Sequence, residues 1–323
     1  MRHLSYGDVE AATERIAGRV RRVVVAAVDW PARPGELWLA LEHMQHTGSF
    51  KARGAQNFIQ AHRDADALPE AGVTIASGGN AGLACSWAAR QQGITATVFL
   101  PENAPAVKVA KLRSFGADVR LVGADYAEAL AACREFAAET GALASHAYDH
   151  SLIAAGAGTL LEEIHRQLPD LDAAVVAVGG GGLFAGVATA AQQHGIRAVA
   201  IEPENCRALN AALEAGCPVD VPVDSIAADA LGARRTSEMA LHAAQQSNAR
   251  SALVEDSEII RARQALWDHY RIVVEHGAAT ALAGLTSTAR NRGYRPSGGE
   301  KVCVVLCGAN TDPTGLAAAR CRT

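Results

Sequence analysis

Short apolar runs alternate with longer helix-like stretches along most of this chain, and that rhythm restricts the fold more than any other feature. Strands are expected near Val73–Ala76, Thr95–Leu100 and Asp118–Val122, alternating with helices near Ala81–Gln91, Pro105–Phe115 and Tyr126–Glu139. Pro105 suits a first helical turn, and Gly93 and Gly116 suit helix ends. A loop at Ser145–Ser151 and a glycine-interrupted helix at Leu152–Gln167 lead into a second series. That series runs strand Ala173–Val178, helix Gly182–His194, strand Arg197–Ile201, helices Cys206–Ala215 and Ser237–Gln246, and strand Ser251–Val254. Helices Ser257–Arg271 and Ala278–Asn291, strand Lys301–Leu306 and a short helix Pro313–Arg320 complete it. Before the first series, Ser5 is placed to cap a helix over Gly7–Val20. Apolar runs at Val23–Val28 and Leu37–Leu41 follow, the first broken at Trp30-Pro31. A helix is also expected over Arg53–Arg63. Repetition of this kind means βαβ units, hence parallel sheets covered by helices.

A chain of 323 residues is long enough for two such units with cores of their own. Apolar residues make up 49% and aromatics only 5%, which suits Ala- and Val-rich helices packed on buried parallel strands. The net charge of −4 offers no basic field for nucleic acid. Seven cysteines at irregular spacing, with no C-x-x-C, read as reduced thiols and not as a disulfide framework. No signal peptide and no membrane-length apolar run is visible, so the expectation is a soluble cytoplasmic protein.

Four stretches carry chemistry. Thr47-Gly48-Ser49-Phe50-Lys51-Ala52-Arg53-Gly54 places a lysine among small residues at a helix start. Lysine becomes a nucleophile when its surroundings favour the neutral amine. Ser77-Gly78-Gly79-Asn80-Ala81-Gly82 joins a strand to a helix, where backbone N–H groups can receive a carboxylate. Gly179-Gly180-Gly181-Gly182 follows a strand and opens a helix, a nest suited to a phosphate. Glu202, twenty residues on, would suit a dinucleotide, but no frame gives the G-x-G-x-x-G spacing. Cys307-Gly308-Ala309-Asn310 ends the strand Val302–Leu306, so Cys307 can point into the same cleft. An amine, an Asn/Gly loop, a phosphate nest and a soft polar group together suit a phosphate-bearing aromatic aldehyde, pyridoxal 5'-phosphate.

With these residues in view, the chain resembles the serine/threonine dehydratase family of fold type II pyridoxal-phosphate enzymes, which are tryptophan synthase β-like. The resemblance runs essentially end to end and includes Leu41–Lys51, Ser77–Gly82, Ala155-Gly156-Ala157-Gly158-Thr159, Gly179–Gly182, Asp229, Glu275 and the Cys307 strand end. It implies an α/β fold of two parallel-sheet, three-layer domains: a large one of residues 1–47 and 146–323, and a small inserted one of 48–145 that closes on substrate. It implies that Lys51 holds the cofactor as a Schiff base and that its freed amine removes the Cα proton. Phe50 and Ala230 would flank the ring, Asn80 would bond its hydroxyl oxygen, and Cys307 would face its nitrogen. Gly179, Gly180, Gly181 and Gly182 would bind the phosphate, and Ser77, Asn80 and Ala81 the substrate carboxylate. The implied reaction turns a β-hydroxy amino acid such as L-threonine or L-serine into a 2-oxo acid and ammonia, in a homodimer.

The chain departs from the family at Ala40, Ala157, the proline-free segment His146–Ser151 and Glu275-His276-Gly277. No regulatory domain follows Thr323, so feedback control is not expected. A tight divalent metal site is not expected either: Glu202 and the Cys206 carbonyl match the racemase-like pattern, but Ala208 replaces its further acid. Gly78 stands where racemases carry a proton-donating serine, so racemisation is expected to be weak. The rivals are an amino-acid racemase, a β-replacement synthase and a non-catalytic binding protein.

Overall fold

The computed structural model describes residues 3–30, 36–287 and 292–318. Helix α1 (Tyr6–Ile16) starts with a reciprocal Ser5–Asp8 capping box. It stops four residues short of the expected Val20, because Gly18 takes φ +71 and turns the chain. Strands β1 (Val25–Val28) and β2 (Leu37–Ala40) and two 3-10 turns, Glu42–Met44 and His46–Gly48, lead to α2 (Lys51–Asp64). Pro31 falls outside the described residues. Then come β3 (Val73–Ala76), α3 (Asn80–Gln91), β4 (Ala96–Leu100), α4 (Ala106–Ser114), β5 (Asp118–Leu121), α5 (Tyr126–Thr140) and β6 (Leu143–Ala144). The rest is α6 (Ser151–Gln167), β7 (Ala173–Ala177), α7 (Gly182–Gln193), β8 (Arg197–Pro203), α8 (Ala208–Ala215), α9 (Ala228–Leu231), α10 (Glu238–Gln246), β9 (Arg250–Val254), α11 (Asp256–Tyr270), α12 (His276–Thr286), β10 (Val302–Val305) and α13 (Thr314–Ala318).

The strands form two sheets. One has the order β1-β2-β10-β7-β8-β9, parallel throughout except for the β1–β2 pair. The other has the order β5-β4-β3-β6 and is wholly parallel. Strands such as β3, β4, β7 and β10 are buried along their whole length, as sheets covered on both faces require. One core packs Val175, Val176, Ile201, Phe184 and Leu282; the other packs Phe58, Ile59, Ile75, Val98 and Leu112. Helix α2 joins the second core and also packs on α6, which faces the first.

Three further elements differ from the sequence reading. Two-residue β6 pairs Leu143 with Val73 and is too short to show a period. Helix α9 is a single turn inside an otherwise irregular stretch. Helix α8 begins two residues late, at Ala208, because Glu202 accepts hydrogen bonds from Leu209 N and Asn210 N at 2.8 Å and so sets its first turn. The expected ends of the last two helices, at Asn291 and Arg320, lie outside the described residues. Among the described residues no helix is long and apolar enough to cross a membrane.

Candidate active site

Strands β2, β10 and β7 are neighbours, so their carboxyl ends share one edge of the larger sheet. From those ends spring the segment carrying Lys51, the Cys307 turn and the four glycines, respectively. Parallel α/β sheets bind ligands at this edge. The 49–50 segment is tied to the Cys307 turn by a Ser49–Gly308 bridge and by Phe50 N donating to Cys307 O at 2.9 Å. Lys51, which opens α2, is therefore held against the end of β10.

Lys51 Nζ donates to Ala147 O at 2.6 Å and lies 4.8 Å from the centre of the Phe50 ring. Loss of hydration lowers its pKa to about 8, against an opposing pull from Cys307 and Glu275. The amine is thus available in neutral form near physiological pH. A narrow cavity beside it is lined by Phe50, Lys51, Ala147, Tyr148, Gly182 and Leu183, which brings the lysine and the glycine loop together. Cys307 is buried, and burial pushes its thiol up to about 12, so it is neutral at pH 7.

The glycines are required by their neighbours. A Cβ on Gly180 would stand 2.4 Å from the Tyr148 ring, and one on Gly179 2.9 Å from Leu231 Cα. Gly181 takes φ +94 as the cap of α7, beside Thr236 Oγ1, a buried hydroxyl with no hydrogen-bond partner. The first turn of α7 leaves its N–H groups without intrahelical acceptors. A backbone cradle, a helix N-terminus and an orphan hydroxyl together fit a phosphate.

The Ser77–Gly82 loop stands at the end of β3 in the other sheet, and α3 begins at Asn80 itself. Asn80 Nδ2 donates to Glu275 Oε1 at 2.7 Å, and Asn80 Oδ1 accepts from Asn310 Nδ2 at 2.6 Å. Both partners belong to the larger-sheet unit, so the two sheets meet at Asn80. Glu275 is buried at the start of α12, and desolvation pushes its pKa up to about 7. Ser77 Oγ accepts from Gly79 N at 3.4 Å, and Ala81 lies in the open first turn of α3. Ala230 is exposed in α9, and its methyl stands 2.6 Å from where a Cβ on Gly277 would lie.

Several partners had no signal in the sequence. Tyr148 and Thr236 sit in segments with no motif, and only the fold lays them on the glycine loop. Arg53 is the other. Fully buried, its guanidinium takes Glu42 through Nε and Nη2 at 2.7 and 3.0 Å, and Glu163 through Nη1 and Nη2 at 2.9 and 3.0 Å. Among the described residues no group of three His, Cys, Asp or Glu could hold a metal ion. Glu202 is buried with both oxygens on α8 amides.

Lys51, the cradle at Gly179–Gly182 and neutral Cys307 are the parts that a phosphate-bearing pyridine aldehyde requires, and they lie at one sheet edge. Residues 27–308 match the family model described as pyridoxal-phosphate dependent enzyme. The chain is 35% identical over 314 residues to an L-threonine ammonia-lyase of Geobacter sulfurreducens, covering 96% of this chain and 76% of that protein. It is 36% identical over 282 residues to a human serine dehydratase-like protein, covering 85% of each. Among solved structures, maize serine racemase superposes with a TM-score of 0.89 at 27% identity, covering 99% of this chain and 98% of that one. This chain belongs to the pyridoxal-phosphate dependent enzyme family.

Proposed function

We infer that the chain is a pyridoxal-phosphate-dependent ammonia-lyase of the serine/threonine dehydratase type. It converts a β-hydroxy amino acid such as L-threonine or L-serine into a 2-oxo acid and ammonia. The observation that carries this is a desolvated Lys51 amine, with its pKa near 8, at the sheet edge that also holds the glycine cradle. The names of its relatives, L-threonine ammonia-lyase and serine dehydratase-like, support the reaction class.

Bound pyridoxal phosphate supplies an electron sink for the charge left when the substrate Cα loses its proton. The residues supply the rest. Lys51 would bind the cofactor covalently, and its amine, when free, would accept the Cα proton; burial lowers its pKa to about 8, which raises the neutral fraction that a base needs near pH 7. Gly179–Gly182 and the α7 N-terminus would receive the phosphate, with the helix dipole adding to the attraction. Ser77, Asn80 and Ala81, at the N-terminus of α3, would receive the substrate carboxylate in the same way. Asn80 would also donate to the ring oxygen, Phe50 and Ala230 would flank the ring, and Cys307 would face its nitrogen without supplying charge. In the net reaction the β-hydroxyl leaves as water, and one water adds back as ammonia is released.

Racemases share the fold, so the choice between elimination and racemisation rests on side chains. A donor on the face opposite Lys51 is proposed to be missing. Gly78 has no side chain, and Leu100 Cδ2 stands 2.8 Å from where its Cβ would be. Domain closure of residues 48–145 on residues 1–47 and 146–323 is proposed from the two separate sheets that meet at Asn80. A homodimer and a cytoplasmic setting are proposed from the family resemblance, and the six described cysteines, all free thiols, accord with a reducing compartment.

The test is direct. Purified protein should absorb beyond the aromatic band, and borohydride should fix the cofactor to Lys51. Lys51→Ala should lose at least roughly 10³-fold in turnover while its far-ultraviolet spectrum stays native, because nucleophile and base go together. A panel of L-threonine, L-serine and bulkier β-hydroxy amino acids, assayed for 2-oxo acid, would rank substrates. Near-normal elimination by Lys51→Ala, or interconversion of L- and D-serine as fast as oxo-acid release, would overturn the reading.

A further inference from the structure

The Asn80 amide is the third link of a longer chain of donors. Lys111 Nζ, exposed on α4, donates to Asn310 Oδ1 at 2.5 Å. Asn310 Nδ2 donates to Asn80 Oδ1 at 2.6 Å and to Thr47 O at 2.8 Å. Asn80 Nδ2 then donates to Glu275 Oε1 at 2.7 Å. Every donor points the same way, from a cation to a carboxyl. Hydrogen bonds aligned in this way polarise one another.

The direction is imposed by the donor inventory. A primary amide has one acceptor oxygen and one donor nitrogen, and only the surrounding network decides which way it faces. A flipped Asn310 would turn its NH₂ toward the Lys111 ammonium and its oxygen toward Thr47 O and Asn80 Oδ1, three repulsive contacts in place of three bonds. A flipped Asn80 would likewise set its oxygen against Glu275. Lys111 therefore orients Asn310, and Asn310 orients Asn80. One N–H of Asn80 is used by Glu275, and the second is left for a ligand.

The chain also alternates between the two units. Lys111 and Asn80 belong to helices of the four-stranded sheet, whereas Asn310 and Glu275 lie on the six-stranded side, after β10 and at the start of α12. The path therefore crosses the cleft three times. Asn310 is braced on its own side: Ala309 N donates to Gly48 O at 2.9 Å, and a Cβ on Gly48 would stand 2.9 Å from Asn310 Oδ1. A second contact of α4, the exposed Lys108–Asp229 pair at 2.6 Å, is not a hydrogen-bonded link of this path, although the Asp229 charge acts on Glu275 and raises its pKa.

We propose that Lys111 and Asn310 are positioning residues that set the Asn80 amide for its ligand only when the two units are closed on each other. Closure at the protein surface is thereby reported to the ligand-binding amide through two hydrogen bonds. This rests on the reading of Asn80 as a cofactor contact. Lys111 does not touch the reacting atoms, and its removal leaves Lys51 and the glycine cradle intact.

The experiment compares wild type with Lys111→Met, Lys111→Arg and Asn310→Ala in two states of the full chain. In the cofactor-loaded protein, Lys111→Met should raise KM for L-threonine about fivefold with kcat within about twofold, the scale of one exposed charge-assisted hydrogen bond. It should also alter the visible spectrum of the bound cofactor, as a changed bond to the ring oxygen must. Lys111→Arg should restore both, since it keeps a cation donor at that point. Asn310→Ala should shift the spectrum further. In the cofactor-free protein, amide exchange across residues 77–83 should quicken in Lys111→Met and Asn310→Ala but not across α11. Unchanged exchange at 77–83 together with an unchanged spectrum in Lys111→Met would overturn the proposal, and so would failure of Lys111→Arg to rescue. If wild type itself takes up no pyridoxal phosphate, the reading of the site fails instead, and the exchange measurement still decides whether the chain of bonds orders the Asn80 turn.

Discussion

At the scale of single residues, two side chains owe their chemistry to burial. Lys51 loses hydration and its pKa falls to about 8. An amine reacts with an aldehyde only when unprotonated, so cofactor uptake by the cofactor-free protein should quicken as pH rises toward 8. The expected slope is about tenfold per unit below that value, flattening above it. Stopped-flow absorbance across pH 6–9.5 measures this; a midpoint near the ordinary lysine value would mean that the amine is hydrated. Cys307 moves the other way, its thiol pushed up to about 12, and stays neutral. A carboxylate at that point would hold a pyridine nitrogen protonated, because opposite charge favours the cation. Cys307→Ser should therefore keep most dehydratase activity. Cys307→Asp should lose roughly tenfold or more and show side reactions or a long-wavelength absorbing species. Matching spectra and rates in wild type and Cys307→Asp would remove Cys307 from control of the chemistry.

At the scale of elements, the glycine loop works because α6, α7 and the segment before α6 come closer than side chains allow. Tyr148 lies on Gly180 and Gly182, and where α6 crosses α7 a Cβ on Gly158 would stand 2.8 Å from Gly186 O. Gly180→Ala should weaken pyridoxal-phosphate binding by roughly tenfold or more, about 1.4 kcal/mol, by forcing the Tyr148 ring or the cradle to move. Titration of the cofactor-free variant checks this. Adding Tyr148→Ala should recover part of the loss, since it removes the clash; no recovery would place the cost in the loop backbone instead.

At the scale of the molecule, one buried guanidinium links the parts. Arg53 joins α2 to the turn after β2 through Glu42, and to α6 through Glu163 and Thr159. It sits two residues after Lys51, so the same contacts that hold α2 also fix the position of Lys51. Arg53→Met would leave two carboxylates without their cation, and such losses cost about 3–5 kcal/mol. A lowered unfolding midpoint in cofactor-free protein is the measurement; an unchanged midpoint would show the network to be dispensable. Arg53 was visible in the sequence only as a residue of the lysine motif. Its partners lie 11 and 110 positions away, beyond any local pattern.

The chain's own order of residues determined the class of fold, since buried parallel strands must be apolar throughout and their crossover helices must be amphipathic or small. It determined the lysine, the Asn loop, the four glycines and the strand-end cysteine, because each needs a residue type that few other roles would select. What only the tertiary structure decided is which of these meet, and in what electrostatic state. The order β2-β10-β7 brings three loops to one edge, although their strands are separated by more than a hundred residues in the chain. Burial then sets Lys51 near 8, Glu275 near 7 and Cys307 near 12. The ligands of Asn80 were equally hidden, because its hydrogen bonds to Glu275 and Asn310 span 195 and 230 positions and join segments that belong to different sheets. Local sequence encodes helices, turns and nucleophiles through short-range sterics. Desolvation and contact across a cleft are properties of the packed molecule, so they appear only once the chain has folded.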